Sequence, residues 1–360
     1  DVIHMNNLTK GIKMNNVKKI GFSALAGSLA MVSANAIEYN MSGGMLATFT
    51  TQDDPSGAEA NSGKGIGIAT DLTFTAGGEL DNGYTVDYTF LVDTDGALSQ
   101  TSSQLTLGMG SLGTIQLNNK FGSKANAIDD ISPTAYNETW DGLTSAGTRN
   151  DPSFFGSSTS KGSIDYRIPA QEIMGLTVNA SYTYDPSAGG AGASKAGVNP
   201  GTSASGSAMT LQIAHESGLE IGGGTEDVDT QATTVQNELS RSTGYAKYSY
   251  GGLTVSYQET SEDPEETTAT GTGANPDRDS EILGIAYTSG DLTVSYGEAE
   301  TTVNAIGATA ALPTIELTSI QAAYTMGAMT LSAAMSETDN DNGIAAQKYE
   351  ENTLAVSFAF

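Results

Sequence analysis

The sequence predicts an all-β fold: sixteen antiparallel strands closed into a transmembrane barrel. Three observations carry that expectation. Apolar side chains recur at every second position through segment after segment, the connections between segments alternate between very short and very long, and the amino-terminal stretch reads as an export signal.

The closing stretch Asn352–Phe360 (NTLAVSFAF) shows the repeating unit at its clearest. Leu354, Val356, Phe358 and Phe360 share one parity, and Thr353, Ala355, Ser357 and Ala359 share the other. Successive side chains of a strand point to opposite faces, so this is a ribbon with one greasy face and one small, mildly polar face. The same pattern runs through Tyr84–Val92, Leu176–Tyr184, Leu253–Tyr257 and Leu292–Tyr296. Strands are expected at about 37–50, 65–78, 83–93, 102–109, 113–120, 162–168, 176–184, 209–216, 219–226, 241–250, 253–260, 280–288, 291–299, 316–325, 329–337 and 349–360. Their usual length of roughly nine to eleven residues suits a tilted crossing of a bilayer. In 113–120, Asn118 and Asn119 dilute the alternation, and 162–168 is cut short by Pro169. The tight connections include Glu79–Gly83, Gly110–Leu112, Ser217–Gly218, Gly251–Gly252, Ser289–Gly290 and Met326–Ala328. Long connections on the opposite end are what a membrane barrel has and a soluble sandwich lacks. A secreted β-rich binding or adhesive protein would share the composition, but needs neither this alternation of loops nor an aromatic last residue.

At the other end, Lys18 and Lys19 precede the apolar core Ile20–Val32, which is followed by the small residues Ala34–Asn35–Ala36. This is the order of parts in a secretory signal. Residues 1–36 are therefore expected to be leader and cleavable signal peptide, with cleavage after Ala36, and residues 37–360 a single barrel domain. No apolar run reaches the length of a membrane-crossing helix.

Without Asp1, Lys10, Lys13, Lys18 and Lys19, the remainder carries 41 acidic and 11 basic residues, a formal charge of −30. That balance repels nucleic acid and favours cations. The chain has no cysteine, and His215 is the only histidine after residue 36. No prosthetic group, His/Cys metal cluster or catalytic nucleophile–base pair is expected. The acidic runs Ser261–Thr267 and Asn340–Asn342 lack the spacing of a dedicated calcium loop and offer at most weak Ca²⁺ binding through oxygen ligands.

The chain resembles the sixteen-stranded general porins of Gram-negative outer membranes, in the style of those of alphaproteobacteria. The resemblance rests on the signal, on Ile37–Phe49 (IEYNMSGGMLATF), on the hairpin Thr106–Gly122 (TLGMGSLGTIQLNNKFG) and on the terminal Phe360. It implies a homotrimer in the outer membrane, set among lipid bilayer and lipopolysaccharide, with Phe360 as the signal read by the outer-membrane assembly machinery. It also implies that the third long connection, residues 121–161, folds into the lumen. Asp129, Asp130, Glu138, Asp141 and Asp151 would then line the loop side of a constriction, and Tyr136, Trp140, Phe154 and Phe155 would anchor it.

Parity supplies candidates for the facing wall. Lipid-facing Tyr88 and Phe90 leave Asp87 inside, Tyr166 leaves Asp165 and Arg167, and Tyr248 and Tyr250 leave Lys247; Lys120, Arg149 and Arg241 complete the set. The expected function is passive diffusion of small hydrophilic solutes and ions with a preference for cations, a substrate-selective channel being the alternative. The positive row is thinner than such porins carry.

Overall fold

The computed structural model describes residues 38–53, 63–93, 99–143, 151–152, 154–157, 162–186, 205–231, 236–264, 277–304 and 312–360. The expected leader and signal, the proposed cleavage point and Arg149 lie outside the described residues.

The chain opens with β1 (Glu38–Asp53), β2 (Gly63–Glu79), β3 (Thr85–Asp93), β4 (Ser99–Gly108) and β5 (Thr114–Asn119). Two short pieces follow, β6 (Ile164–Arg167) and β7 (Gln171–Ile173), then β8 (Leu176–Asp185), β9 (Ser205–His215) and β10 (Leu219–Gln231). Next come β11 (Gln236–Tyr250), β12 (Leu253–Pro264), β13 (Asp277–Ser289) and β14 (Leu292–Asn304). The chain ends with β15 (Ile315–Met326), β16 (Met329–Asp339) and β17 (Lys348–Ala359). Each pairs antiparallel with its sequence neighbours, except that β6 and β7 both pair with β8. These two are halves of one crossing, so the seventeen pieces make a sixteen-stranded barrel. Pro169 explains the interruption: it has no N–H to give the ladder. Sequence periodicity stops at that proline and misses the resumption at Gln171.

β1 is bonded to β2 along one edge and to β17 along the other, which closes the sheet. Phe360 completes that seam, with its N–H donated to the Gly43 carbonyl and its own carbonyl accepting the Gly43 N–H. A closed sheet leaves no unpaired edge, the condition for strands in hydrocarbon.

The two faces have opposite chemistry. Leu253, Tyr257, Leu283, Ile285, Ile320, Leu331, Met335, Leu354 and Phe358 are exposed, while Ser256, Gln258, Thr260, Ser295, Gln321 and Thr353 on the other parity are buried. A water-soluble sheet has the reverse arrangement; an apolar exterior around a polar interior suits lipid. Tyr248, Tyr250, Tyr287 and Tyr324 stand on the exposed face near the tight turns, as an interfacial aromatic girdle does. The turns between β11 and β12, β13 and β14, and β15 and β16 use Gly251, Gly290 and Gly327 at φ of 60°, 61° and 63°, the left-handed geometry of two-residue hairpins.

Several strands run longer than expected: β1 has 16 residues, β2 has 17 and β11 has 15. Lipid enforces alternation only across the apolar band. Beyond it, as in Thr225–Asp229 of β10 against Glu238–Ser242 of β11, backbone pairing continues with the polar Thr225, Asp227 and Asp229 on the outward parity, so the period-2 signal ends before the strand does.

Candidate functional site

The segment between β5 and β6 is the longest described connection, and its course is set by hydrogen bonds to the polar face. It turns through a short 3-10 helix at Asn126–Ile128. Asp130 then accepts from the Ser132 backbone N–H at 2.7 Å and from its hydroxyl at 2.6 Å. From there the backbone meets strand after strand. Ile131 N–H donates to Gln258 Oε1 of β12 (3.1 Å), Ala135 N–H to Ser295 Oγ of β14 (2.9 Å) and Tyr136 N–H to Gln321 Oε1 of β15 (2.8 Å). The amide nitrogens answer: Gln258 Nε2 donates to the Ile128 carbonyl (2.8 Å), and Gln321 Nε2 to the Asn137 carbonyl (2.7 Å). On the return arm, Arg278 of β13 donates to the Asp151 carbonyl and lies over the Phe154 ring. Gly156 N–H donates to Glu226 Oε2 of β10 at 3.0 Å.

Two apolar clusters sit between this segment and the strands. Trp140 and Leu143 pack with Ile282, Ala299, Val303, Ile315, Leu317 and Tyr349. Ala125, Ile128 and Phe155 pack with Ala208 and Tyr245. Of the four aromatics expected as anchors, Trp140, Phe154 and Phe155 are buried and Tyr136 is half-buried. An interior face of Ser, Thr and Gln has little greasy surface, so these clusters are where the apolar surface of the segment is sequestered.

The carboxylates of the segment crowd one another. Burial pushes Asp129 up to about 7, and the negative charges of Asp130 and Asp151 push in the same direction. Glu138 also rises to about 7, first by loss of solvent and then by Asp141, Asp130, Asp129 and Asp151. Its side chain keeps an open edge, so the surrounding protein desolvates it without covering it. Burial likewise raises Asp130 and Asp141, the latter with help from Asp151 and Glu351. Glu351 of β17 was not foreseen; it accepts from Gln52 Nε2 at 2.9 Å and from Thr353 Oγ1 at 3.1 Å. Gln258, Gln321, Ser295 and Glu226 were also missed. Their only sequence signal is a hydrogen-bonding side chain on the interior parity of a strand, which many residues here share.

The basic candidates do not stand as a free row. Arg167 pairs with fully buried Asp165 at 2.8 Å and donates to Gln116 Oε1 at 2.6 Å. Arg241 bridges Glu226 (3.0 Å) and Glu262 (2.6 Å). Lys247 lies 3.5 Å from Glu220. Lys120 is exposed at the end of β5 with φ of 59°. Asp87 is exposed on β3 opposite Gly77, close to the tight β2–β3 turn and thus to the barrel end carrying the short connections. His215 Nδ1 and Ser217 Oγ are 2.8 Å apart within the β9–β10 turn, a local contact two residues long. Among the described residues, no group of three or more His, Cys, Asp or Glu side chains is placed to hold a metal ion.

Comparison with known proteins agrees with this architecture. A family model described as Gram-negative porin matches residues 22–310. In-vitro folded OmpT of Vibrio cholerae, an outer membrane protein in its trimer form, superposes with a TM-score of 0.65 at 11% identity, covering 91% of this chain and all of the other. A porin refined at 1.8 Å gives 0.63 at 15% identity, covering 90% of this chain and 100% of that one. An anion-selective porin from Comamonas acidovorans gives 0.61 at 13% identity, with 90% and 100% coverage. No curated protein matches by sequence. At these identities the structural likeness speaks to fold alone.

Proposed function

The chain belongs to the Gram-negative porin family, and from that premise we propose that it is an outer-membrane channel for passive diffusion of small hydrophilic solutes, with a preference for cations. The described part of the segment between β5 and β6, above all residues 120–143, lies inside the barrel in this reading and narrows it. One observation carries the sign of the preference. The carboxylates Asp129, Asp130, Glu138 and Asp141 are raised first by burial and then by neighbouring carboxylates, Asp151 and Glu351 among them, whereas Arg167, Arg241 and Lys247 are each paired with a carboxylate of the barrel wall. Positive charge is neutralised locally and negative charge is left over, which enriches cations at the narrow point. Asp151 belongs to the same acidic group, and Asp165, Arg167, Arg241 and Lys247 serve chiefly as a neutral, hydrogen-bonded wall. Asp87 and Lys120 act at the approaches.

The channel assembles as a trimer in this reading, after residues 1–36 are removed, and Phe360 contributes to its assembly in the membrane. Purified protein in a planar bilayer should give discrete conductance steps. Its zero-current potential across a salt gradient should have the sign of a cation-preferring pore. Replacing Asp129, Asp130, Glu138 and Asp141 together by their amides should move that potential towards zero. An anion-preferring sign in the unmodified protein would refute the electrostatic reading, and absence of conductance would refute the channel.

A further inference from the structure

We propose that Gln258 and Gln321 are positioning residues that hold the acidic segment taut across the barrel wall, and so set the aperture and the selectivity of the pore; the inference rests on the channel reading above. Both amides are buried; Gln258 makes three hydrogen bonds to the segment and Gln321 two. Gln258 accepts from Ile131 N–H and donates to the carbonyls of Ile128 (2.8 Å) and Asp129 (3.2 Å). Gln321 accepts from Tyr136 N–H and donates to the Asn137 carbonyl. A side-chain amide used in this way offers the same donor–acceptor pair as a neighbouring strand. The segment thereby acquires backbone partners without becoming part of the sheet.

Geometry makes these two attachments the ends of a stretched span. From Ile131 at β12 to Tyr136 at β15 the segment crosses three inter-strand intervals, ~14 Å at about 4.8 Å each. Five residues reach about 17 Å when fully extended. The span is short for the gap it bridges, and Ala135 is tied to Ser295 on the way. The wall is cut to receive the span: a methyl group on Gly284 of β13 would lie 2.6 Å from the Pro133 ring and 2.8 Å from Ser132 Cβ. Thr139 comes closer still over Gly297 of β14.

The carboxylates sit at the two ends of this span. Asp129 and Asp130 lie between the Ile128 and Ile131 contacts of Gln258, and Glu138 follows directly after the Asn137 contact of Gln321. Releasing one amide therefore frees one end of the span and lets its carboxylates leave the narrow point. The two apolar clusters still hold the flanks, so the expected result is a wider, noisier pore and not an unfolded barrel.

The test compares wild type with Gln258→Leu, Gln321→Leu and the double variant, which remove the hydrogen bonds while keeping an apolar side chain of similar bulk. Ser249→Ala, near the tight turns, is the control. Each single leucine variant should raise single-channel conductance, to about twofold in the double variant, with more open-channel noise and a zero-current potential closer to zero. Asparagine at either position, which keeps the amide but withdraws it by one methylene, should fall between wild type and leucine. Trp140 is the only tryptophan in the chain, and its emission should shift to the red and become easier to quench with acrylamide when Gln321 is replaced.

Leucine variants with wild-type conductance, selectivity and quenching would overturn the proposal while leaving the channel intact. If the leucine variants fail to assemble, Gln258→Met and Gln321→Met repeat the comparison with a more flexible side chain. Failure of these as well would assign the glutamines to barrel folding and overturn their positioning role. A wild type without conductance would instead refute the channel reading, and Trp140 quenching would still report whether the amides seat the segment.

Discussion

At the scale of single residues, the site is dominated by carboxyl groups that bind protons more tightly than they do in an unfolded chain. Burial first, and then neighbouring carboxylates, push Asp129 and Glu138 up to about 7, against about 4 for free carboxyls. The folded state therefore holds protons that the unfolded chain has already released between these values. Its stability is fully expressed below about pH 4 and is lost as pH rises through about 7. Their charge follows the opposite course, so cation preference should be weak near pH 5 and grow through a midpoint close to 7. Zero-current potentials measured from about pH 5 to 9 check this. A midpoint near 4 would mean the carboxyls are freely solvated, and Asp129→Asn with Glu138→Gln should abolish the step near neutrality. The acids were proposed from the sequence through loop order and the resemblance to porins. Their neighbours were not, since nothing in a local window distinguishes Gln258 or Glu351 from other polar residues on interior-facing positions. The side chains of β10 to β15 that hydrogen-bond the segment lie some 70 to 185 residues away.

Elements were more legible than sites because lipid imposes a rule on every crossing. Apolar parity located all sixteen crossings, and glycine marked several of the tight turns. It failed where lipid stops enforcing it, at the polar outer ends of β10 and β11 and at the proline break between β6 and β7. The seam between β1 and β17 shows what parity leaves out. Phe360 has the apolar phase of its strand, but its partner is specified by a glycine: a methyl group on Gly43 would lie 2.7 Å from the Phe360 ring and 2.8 Å from the Asp71 carbonyl. The neighbouring Gly44 has more room, with the nearest such contact at 3.8 Å. Gly43→Val should therefore impair closure about as severely as deletion of Phe360, whereas Gly44→Ala should change stability by only about 0.5 kcal/mol or less. The fraction of barrel that resists unfolding in detergent, followed by the shift between unheated and heated protein on a gel, separates these outcomes. A normal Gly43→Val barrel beside a defective Phe360 deletion would place the terminal aromatic's role in recognition during assembly and not in closure.

For the whole molecule, the exterior decides what surrounds it. A charge at mid-bilayer on the lipid face costs about 2–4 kcal/mol, and accordingly exposed positions midway along the strands, such as Leu283, Ile285, Ile320 and Leu354, are apolar. On β1 and β2, Tyr39, Met41, Ile66 and Ile68 stand out at 78%, 59%, 79% and 68% exposure, beside the small residue Ala47. Small residues let backbones approach closely where the hydrophobic effect gives no advantage to protein over lipid. We propose this face for contact between copies; β13 lies well around the ring from it. Because the chain lacks cysteine, single replacements report cleanly. With a short bis-maleimide, Ile66→Cys should join chains of one assembly, whereas Ile285→Cys, exposed on β13, should leave them separate. Native mass spectrometry of the purified membrane form reads export and assembly together, with three copies of a chain beginning at Ile37 as the expected mass. A monomer in mild detergent would remove the trimer and leave the pore, since each barrel closes on its own β1–β17 seam. Masses that retain residues 1–36 would remove the export step alone. Cross-linking at Ile285 but not at Ile66 would keep the assembly and move its interface to the other side of the barrel.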